Sequence, residues 1–422
     1  MAGISTLVIA DRLSNLRLQV RAWLEDPRPP EEKEQALGFA ELATDPYDQL
    51  AMVVHEAFHV FQGHAAPAKS ANEMLLLYYP VLSVENNVGF AQEGAALASA
   101  LRAPDRATLR AGVVQWLALR QLRRSGLRAE AAAYEDGVEF GEGLAKYTEY
   151  RLFEVLQGRS PSPAMQWAQG FKGYGDLGYR RDRLIERMVA HMRGEVSVNN
   201  DPYGTAPLRM RLYFSGMVIG ALLDRLSPDW KRRILEPGTS LTSLVQEAVQ
   251  ASPGETRHAL EEARRDTGYQ ALVRAKTQLA QAGRARIDTM VEAIEHGEGT
   301  GIVVDYAALA SPSASMAFSP FGVTVVDQDR TIFSQVPINV SLADGSEVVQ
   351  RIPRPLLQDK RRKLLRFRLL RSLTRAEIDS ASGPARATGV ALELPEFTLR
   401  APKALLQWEG KDLRVILQPP EK

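Results

Sequence analysis

Apolar positions fall in two registers along this chain. From residue 45 to about 296 they recur with the helical period; after Gly297 they come in short blocks separated by turn residues. Ahead of both, Leu7-Val-Ile-Ala10 predicts a short strand. Residues 13–24 predict a helix or an irregular amphipathic piece, broken by Asp26-Pro-Arg-Pro-Pro30. The first well-marked helix starts after Asp45. Asp45 suits an N-cap, Pro46 the first helical position and Asp48 the first turn, and Gly63 is placed to end the helix. Met52, Val53, Phe58, Val60 and Phe61 supply the apolar residues expected to bury it. A small, polar loop over 65–75 leads to helices over 86–103, 107–124 and 128–157. Pro104-Asp105 and Gly126 separate them, and Gly158 closes the last. Residues 160–178 are rich in Gly, Pro and aromatics, the make of a cleft-lining loop or of a plain connector. A helix over 179–192, a turn cluster at Asn199-Asn-Asp-Pro-Tyr-Gly204 and an apolar helix over 207–226 follow. Ser252-Pro253 then opens a long charged helix to about 296, solvated but for one packed stripe.

Beyond Gly297, Ile302-Val-Val, Gly322-Val-Thr-Val-Val, Ile338-Asn-Val-Ser-Leu, Val390-Ala-Leu-Glu-Leu, Phe397-Thr-Leu-Arg and Leu413-Arg-Val-Ile-Leu predict strands, with Ala343-Asp-Gly-Ser as a hairpin turn. The pattern predicts an α+β chain: an N-terminal segment with a short β element (1–44), a mainly helical domain (45–298) and a smaller β-rich domain (299–422).

Composition narrows the function classes. The 422 residues carry a net charge of +1 with acids and bases interspersed, which points to neither nucleic acid nor an anionic membrane as partner. No apolar run is long enough to span a bilayer. The start of the chain lacks a basic n-region and a full apolar h-region. As written this implies the cytoplasm; a trimmed export signal would make it periplasmic or secreted. The basic run Lys360-Arg-Arg-Lys363 is expected to face solvent, and oligomeric state cannot be read. There is no cysteine, so any metal must be held by His and carboxylate.

The chemistry sits in the first marked helix. Met52-Val-Val-His55-Glu56-Ala-Phe-His59-Val-Phe-Gln62 contains His-Glu-x-x-His. Residues four apart share a helix face, so His55 and His59 can address one ion, with Glu56 beside them to take a proton from a zinc-polarised water. With only six histidines in the chain, this spacing arises by chance in roughly one such chain in a hundred or fewer. The competing reading is two histidines that merely pack on a helix.

A catalytic zinc takes three protein ligands and leaves one position open. The extended form of the motif would need Gly and His where the chain has Gln62 and Ala65; His64 instead suits the negative end of a helix dipole. The helix over 128–157 offers Glu142, with Glu139 and Glu149 as competitors. Glu142 and Glu149 lie seven apart, nearly on one face. Gly137, Gly141 and Gly143, unusual inside a helix, point to close packing or a site constraint. The alternative for this face is a plain solvated acidic surface.

Glu142-Gly-Leu-Ala-Lys-Tyr-Thr148 resembles the glutamate element of the gluzincins, zinc peptidases whose third ligand is a Glu on a later helix. The chain is similar in particular to uncharacterised bacterial putative peptidases that combine HExFHxxQ (here His55 to Gln62) with EGLAxYT. They continue with a Tyr-x-x-Gly and Leu-Leu-Asp-x-Leu-x-Pro-x-Trp segment, here Tyr213-Phe-Ser-Gly216 and Leu222-Leu-Asp-Arg-Leu-Ser-Pro-Asp-Trp230. The likeness covers about residues 45–235; where the family carries Asn before the glutamate, this chain has Gly141. It implies a zincin-like catalytic domain with Zn2+ held by His55, His59 and Glu142, Glu56 as general base, and a peptide or protein substrate. Tyr213 is implied as the oxyanion donor, with Tyr147, Tyr150 and His191 as alternatives, and Glu93 is a candidate acceptor behind a ligand histidine. The competing reading is a zincin-fold protein without turnover that binds a partner through its C-terminal β domain. Nothing in the sequence specifies the substrate or endo- versus exopeptidase action.

Overall fold

The fold was analysed in a computed structural model that describes residues 45–198, 203–265, 267–309, 312–381 and 390–419. The strand predicted at Leu7 to Ala10, the amphipathic stretch over 13–24 and part of the 199–204 turn cluster lie outside these residues. The chain is α+β, helical in its first part and β-rich in its last. It divides into two compact units. Among the described residues, one takes in those between 45 and 75, 83 and 198, and 207 and 277; the other takes in 76–82, 203–206 and those between 278 and 419.

The first described element of the helical unit is α1 (Pro46–Ala65). Asp45 caps it as predicted, its carboxylate accepting from the Tyr47 and Asp48 amides at 2.8 and 3.3 Å. Gly63 does not end the helix; it continues to Ala65, and the amide of Ala66 closes onto the Gln62 carbonyl. The predicted apolar face is also corrected. Met52 and Phe61 are 56% and 49% exposed, and the buried face carries Tyr47, Ala51, His55 and Gln62. The helix is turned with its polar face inward because that face has hydrogen-bonding partners on the helix it packs against.

Next come short 3₁₀ turns (Pro67–Lys69 and Glu73–Tyr78) where a loop was expected. Then α2 (Val84–Arg102) packs on α3 (Arg106–Ser125), with Ser83 and Asp105 as N-caps. The helix predicted over 128–157 is present but not uniform. It consists of α4 (Ala129–Val138), a π turn (Glu139–Gly143) and α5 (Leu144–Leu156). The short α6 (Pro163–Gln166) and α7 (Gly178–Met192) lead to the apolar α8 (Thr205–Leu226). Two short helices follow, α9 (Trp230–Arg233) and α10 (Leu241–Val249). The charged helix predicted from Ser252 is two helices, α11 (Pro253–Arg265) and α12 (Tyr269–His296), with Thr267 and Gly268 in the turn.

Among the described residues, the β-rich unit holds two sheets. The larger has the order β11-β12-β1-β8-β7-β4-β3: Ala404–Glu409, Asp412–Leu417, Gly301–Asp305, Leu364–Arg368, Leu356–Asp359, Arg330–Phe333 and Val323–Val325. β1 pairs parallel with β12 and antiparallel with β8. The smaller runs β2-β5-β6-β10-β9: Ala314–Ala317, Asn339–Leu342, Glu347–Gln350, Phe397–Ala401 and Val390–Glu393. Gly345, at φ +85°, turns β5 into β6 at the predicted Ala343-Asp-Gly-Ser hairpin. Ile287, Val291 and Ile294 of α12 pack on Val326, Ile332 and Leu357. This is why the second unit reaches back to Gln278 rather than starting at 299. Lys360-Arg-Arg-Lys363 forms the β7–β8 turn.

Candidate metal centre

α1 and the π turn bring His55, His59 and Glu142 together. Glu142 Oε2 lies 3.5 Å from His55 Nε2 and 3.4 Å from His59 Nε2, and the three ligand atoms are all within 4.8 Å of one another. Adjacent ligands of a tetrahedral zinc with bonds of ~2.0–2.1 Å stand about 3.3 Å apart, so this spacing fits such an ion.

The histidines present Nε2 because Nδ1 is engaged. Glu149 Oε1 accepts from His55 Nδ1 at 2.7 Å, and Gln62 Oε1 accepts from His59 Nδ1 at 3.0 Å. Acceptors so placed fix ring orientation and tautomer and make the free nitrogen a better donor to a metal. Gln62 also ties α1 to the π turn, its amide donating to the carbonyls of Phe140 and Gly141 at 2.6 and 3.2 Å. Glu149 is held in turn by Lys146 at 2.7 Å. Of the three glutamates weighed as third ligand, Glu142 faces both Nε2 atoms and Glu149 stands behind His55. Glu139 is buried elsewhere, against Arg120 and Ser215.

The glycines make this approach possible. A Cβ on Gly143 would sit 2.7 Å from Gly216 Cα, and one on Gly216 would sit 2.7 Å from the Glu139 carbonyl oxygen. The two backbones thus cross in contact, setting the π turn against α8 at the level of Tyr213. Gly141 meets nothing within 4 Å, so it is not a packing requirement. The second and third sequence motifs also meet: Tyr147 donates to Asp224 at 2.6 Å, and Asp224 accepts from the Trp230 indole at 3.0 Å.

Electrostatically the centre is built for positive charge. Burial pushes His55 down, but the hydrogen bonds it donates to the Glu142 and Glu149 carboxylates outweigh it and raise it to about 9. Hydrogen bonding to Glu142 likewise raises His59. Burial works against the charge on Glu142, yet hydrogen bonds to both histidines hold it well below the usual carboxylate range. Arg209 of α8 steadies this carboxylate from its other oxygen, at 3.3 Å, and lies 3.4 Å from the Tyr213 hydroxyl. Its other nitrogen reaches Glu73 and Tyr134. Burial raises Tyr213, so its hydroxyl keeps its proton at neutral pH and can donate it.

Glu56 is exposed and, with His55, lines a cleft of about 280 Å³. The other proposed oxyanion donors are engaged elsewhere: Tyr147 on Asp224, His191 stacked on Phe214, and Tyr150 beside Arg181. Glu93 does not stand behind a histidine. It is fully buried between Arg120 and Arg123, in a cluster that also takes in Glu135 and Glu139. A bare glutamate on an amphipathic pattern gives no sign of arginine partners from another helix. The sequence motif includes Gln62 without assigning it a role, and Arg209 is not singled out at all. Gln62, three residues after His59, could have been found from that spacing, whereas Arg209 has no local signal. Comparison with family models, curated proteins and solved structures finds no match to the chain. Among the described residues no helix is long and apolar enough to cross a membrane.

Proposed function

We propose that the protein is a zinc metallopeptidase of gluzincin type, with His55, His59 and Glu142 holding the ion. The observation that carries this reading is the convergence of two imidazole Nε2 atoms on one carboxylate oxygen, at 3.5 and 3.4 Å and with all three atoms within 4.8 Å of one another, beside a glutamate that lines a cleft. Two imidazoles and a carboxylate, with no thiolate, form a donor set suited to zinc. When bound, the ion supplies Lewis acidity, which makes water easier to deprotonate and polarises a scissile carbonyl. Glu56 takes the proton of the attacking water and passes it to the leaving amine. Tyr213, protonated and held by Arg209, donates a hydrogen bond to the oxyanion that develops. Glu149 and Gln62 keep the two imidazoles in register throughout.

Metal content and peptide cleavage test the reading together. About one zinc per chain is expected in the purified protein. Glu142→Ala should lose it, whereas Glu56→Gln should keep it and cleave peptides at least ~100-fold more slowly. A protein that takes up no zinc when offered it sinks the metal site. One that keeps zinc and cleaves nothing in a broad peptide library sinks the peptidase and leaves a binding protein.

A further inference from the structure

The cleft beside His55 and Glu56 carries information about what would lie in it. Its floor is apolar, with Ala51, Phe153, Leu184 and Met210 among its walls. Its charged groups are unevenly committed. Asp48 is paired with Arg180 at 3.2 Å, and Asp45 holds the same guanidinium at 2.8 Å. Glu149 is shared between Lys146 and His55, at 2.7 Å each. Those pairings use up every lining carboxylate except Glu56 and every lining cation except Arg183 and Arg187.

Arg183 and Arg187 are four residues apart on α7 and therefore on one face. Both are exposed, both line the cleft, and neither forms an ion pair with a carboxylate among the described residues. The acids of the same helix, Asp182 and Glu186, are not among the lining residues. Among the described residues the cleft thus presents two guanidiniums without a carboxylate ion-pair partner over an apolar floor, Arg187 also lying 5.8 Å from the Phe214 ring, and His55 and Glu56 of the candidate centre are among its lining residues.

We propose that this cleft is a subsite for an acidic peptide segment, in which Arg183 and Arg187 pair with Asp or Glu side chains of the substrate while apolar neighbours rest on the floor. This names a substrate class for the peptidase reading and rests on it for the direction of the chemistry. A guanidinium suits a carboxylate because it offers paired donors in a planar fork.

Binding tests the subsite independently of turnover. The full-length, zinc-loaded Glu56→Gln protein is titrated with matched decapeptides whose central acids are either Asp/Glu or Asn/Gln. The acidic peptide is expected to bind about tenfold tighter, as two partly exposed ion pairs would give. That gap should narrow as salt rises and close in Arg183→Gln/Arg187→Gln, two surface changes that leave the fold intact by circular dichroism. Equal affinity for the two peptides overturns the proposal. So does a gap unchanged in the double variant, or equally tight binding of an oligonucleotide of matched charge. Cleavage by the unmutated protein is scored separately. Acid-dependent binding without any cleavage would sink the peptidase reading and leave the subsite standing; cleavage indifferent to acids would do the reverse.

Discussion

On the proposed zinc reading, Glu149 and Gln62 each act through a histidine, and their replacement should separate metal affinity from folding. Glu149→Gln keeps the shape and most of the hydrogen bonding but removes the charge behind His55 Nδ1. It is expected to weaken zinc about 10–100-fold, read by competition with a chelator, with little change in the helical spectrum. Arg209 holds Glu142 and Tyr213 at once. Arg209→Met should lower peptide turnover more than it lowers zinc content; an unchanged turnover at full occupancy would remove Tyr213 from the chemistry. At this scale the sequence is readable where chemistry follows local spacing. His55, Glu56 and His59 declare themselves by a four-residue interval. The division of labour between Glu142 and Glu149 does not, because both lie on one face, and which faces Nε2 is decided by where α1 lies. Glu93 shows the opposite failure: its arginine partners come from α3, beyond the reach of any local pattern.

At the scale of elements, the π turn at Glu139–Gly143 is the feature most tied to the site. Such turns are uncommon and tend to occur at functional positions. The three glycines flagged a constraint here but could not name it, since propensity does not distinguish a π turn from a helix. The glycines also differ in what they do, and a pair of substitutions separates them. Gly216→Ala places a methyl group 2.7 Å from backbone atoms and is expected to cost about 1–3 kcal/mol of stability, read as a lowered unfolding midpoint. Gly141→Ala meets open space and should be neutral or stabilising by up to about 1 kcal/mol. Other elements escaped the sequence for similar reasons. β4, β7 and β8 are short and mix charged with apolar residues, so their pairing in the sheet outweighs a weak local pattern. What reads as one charged helix is two, with Thr267 and Gly268 in the turn between them.

At the scale of the whole molecule, the α+β order was legible because the period of the apolar pattern changes near Gly297. The compact units were less so, because α12 contributes to the β-rich core through residues that also satisfy a helical stripe. The helical unit buries a histidine outside the candidate metal centre. Burial, helped by Arg187 and Arg211, holds His191 down at about 4. The unfolded chain therefore binds more protons than the folded one between about pH 6.5 and 4. Stability is complete above that window and is lost as pH falls through it, by about 3 kcal/mol for this group. Urea unfolding across the window should show this acid limb, and His191→Phe should flatten it.

The contact of Gly143 with Gly216 has a consequence of its own. Where two main chains touch, no side chain remains between them to repack, swell or be exchanged. The offset between Glu142 and Tyr213 is then fixed by bond lengths and angles rather than by how well a core is filled. Leucines and methionines around the crossing could drift in volume over many substitutions while the two groups kept their separation. The crossing serves as a mechanical stop, and tolerance of change in its surroundings comes with it.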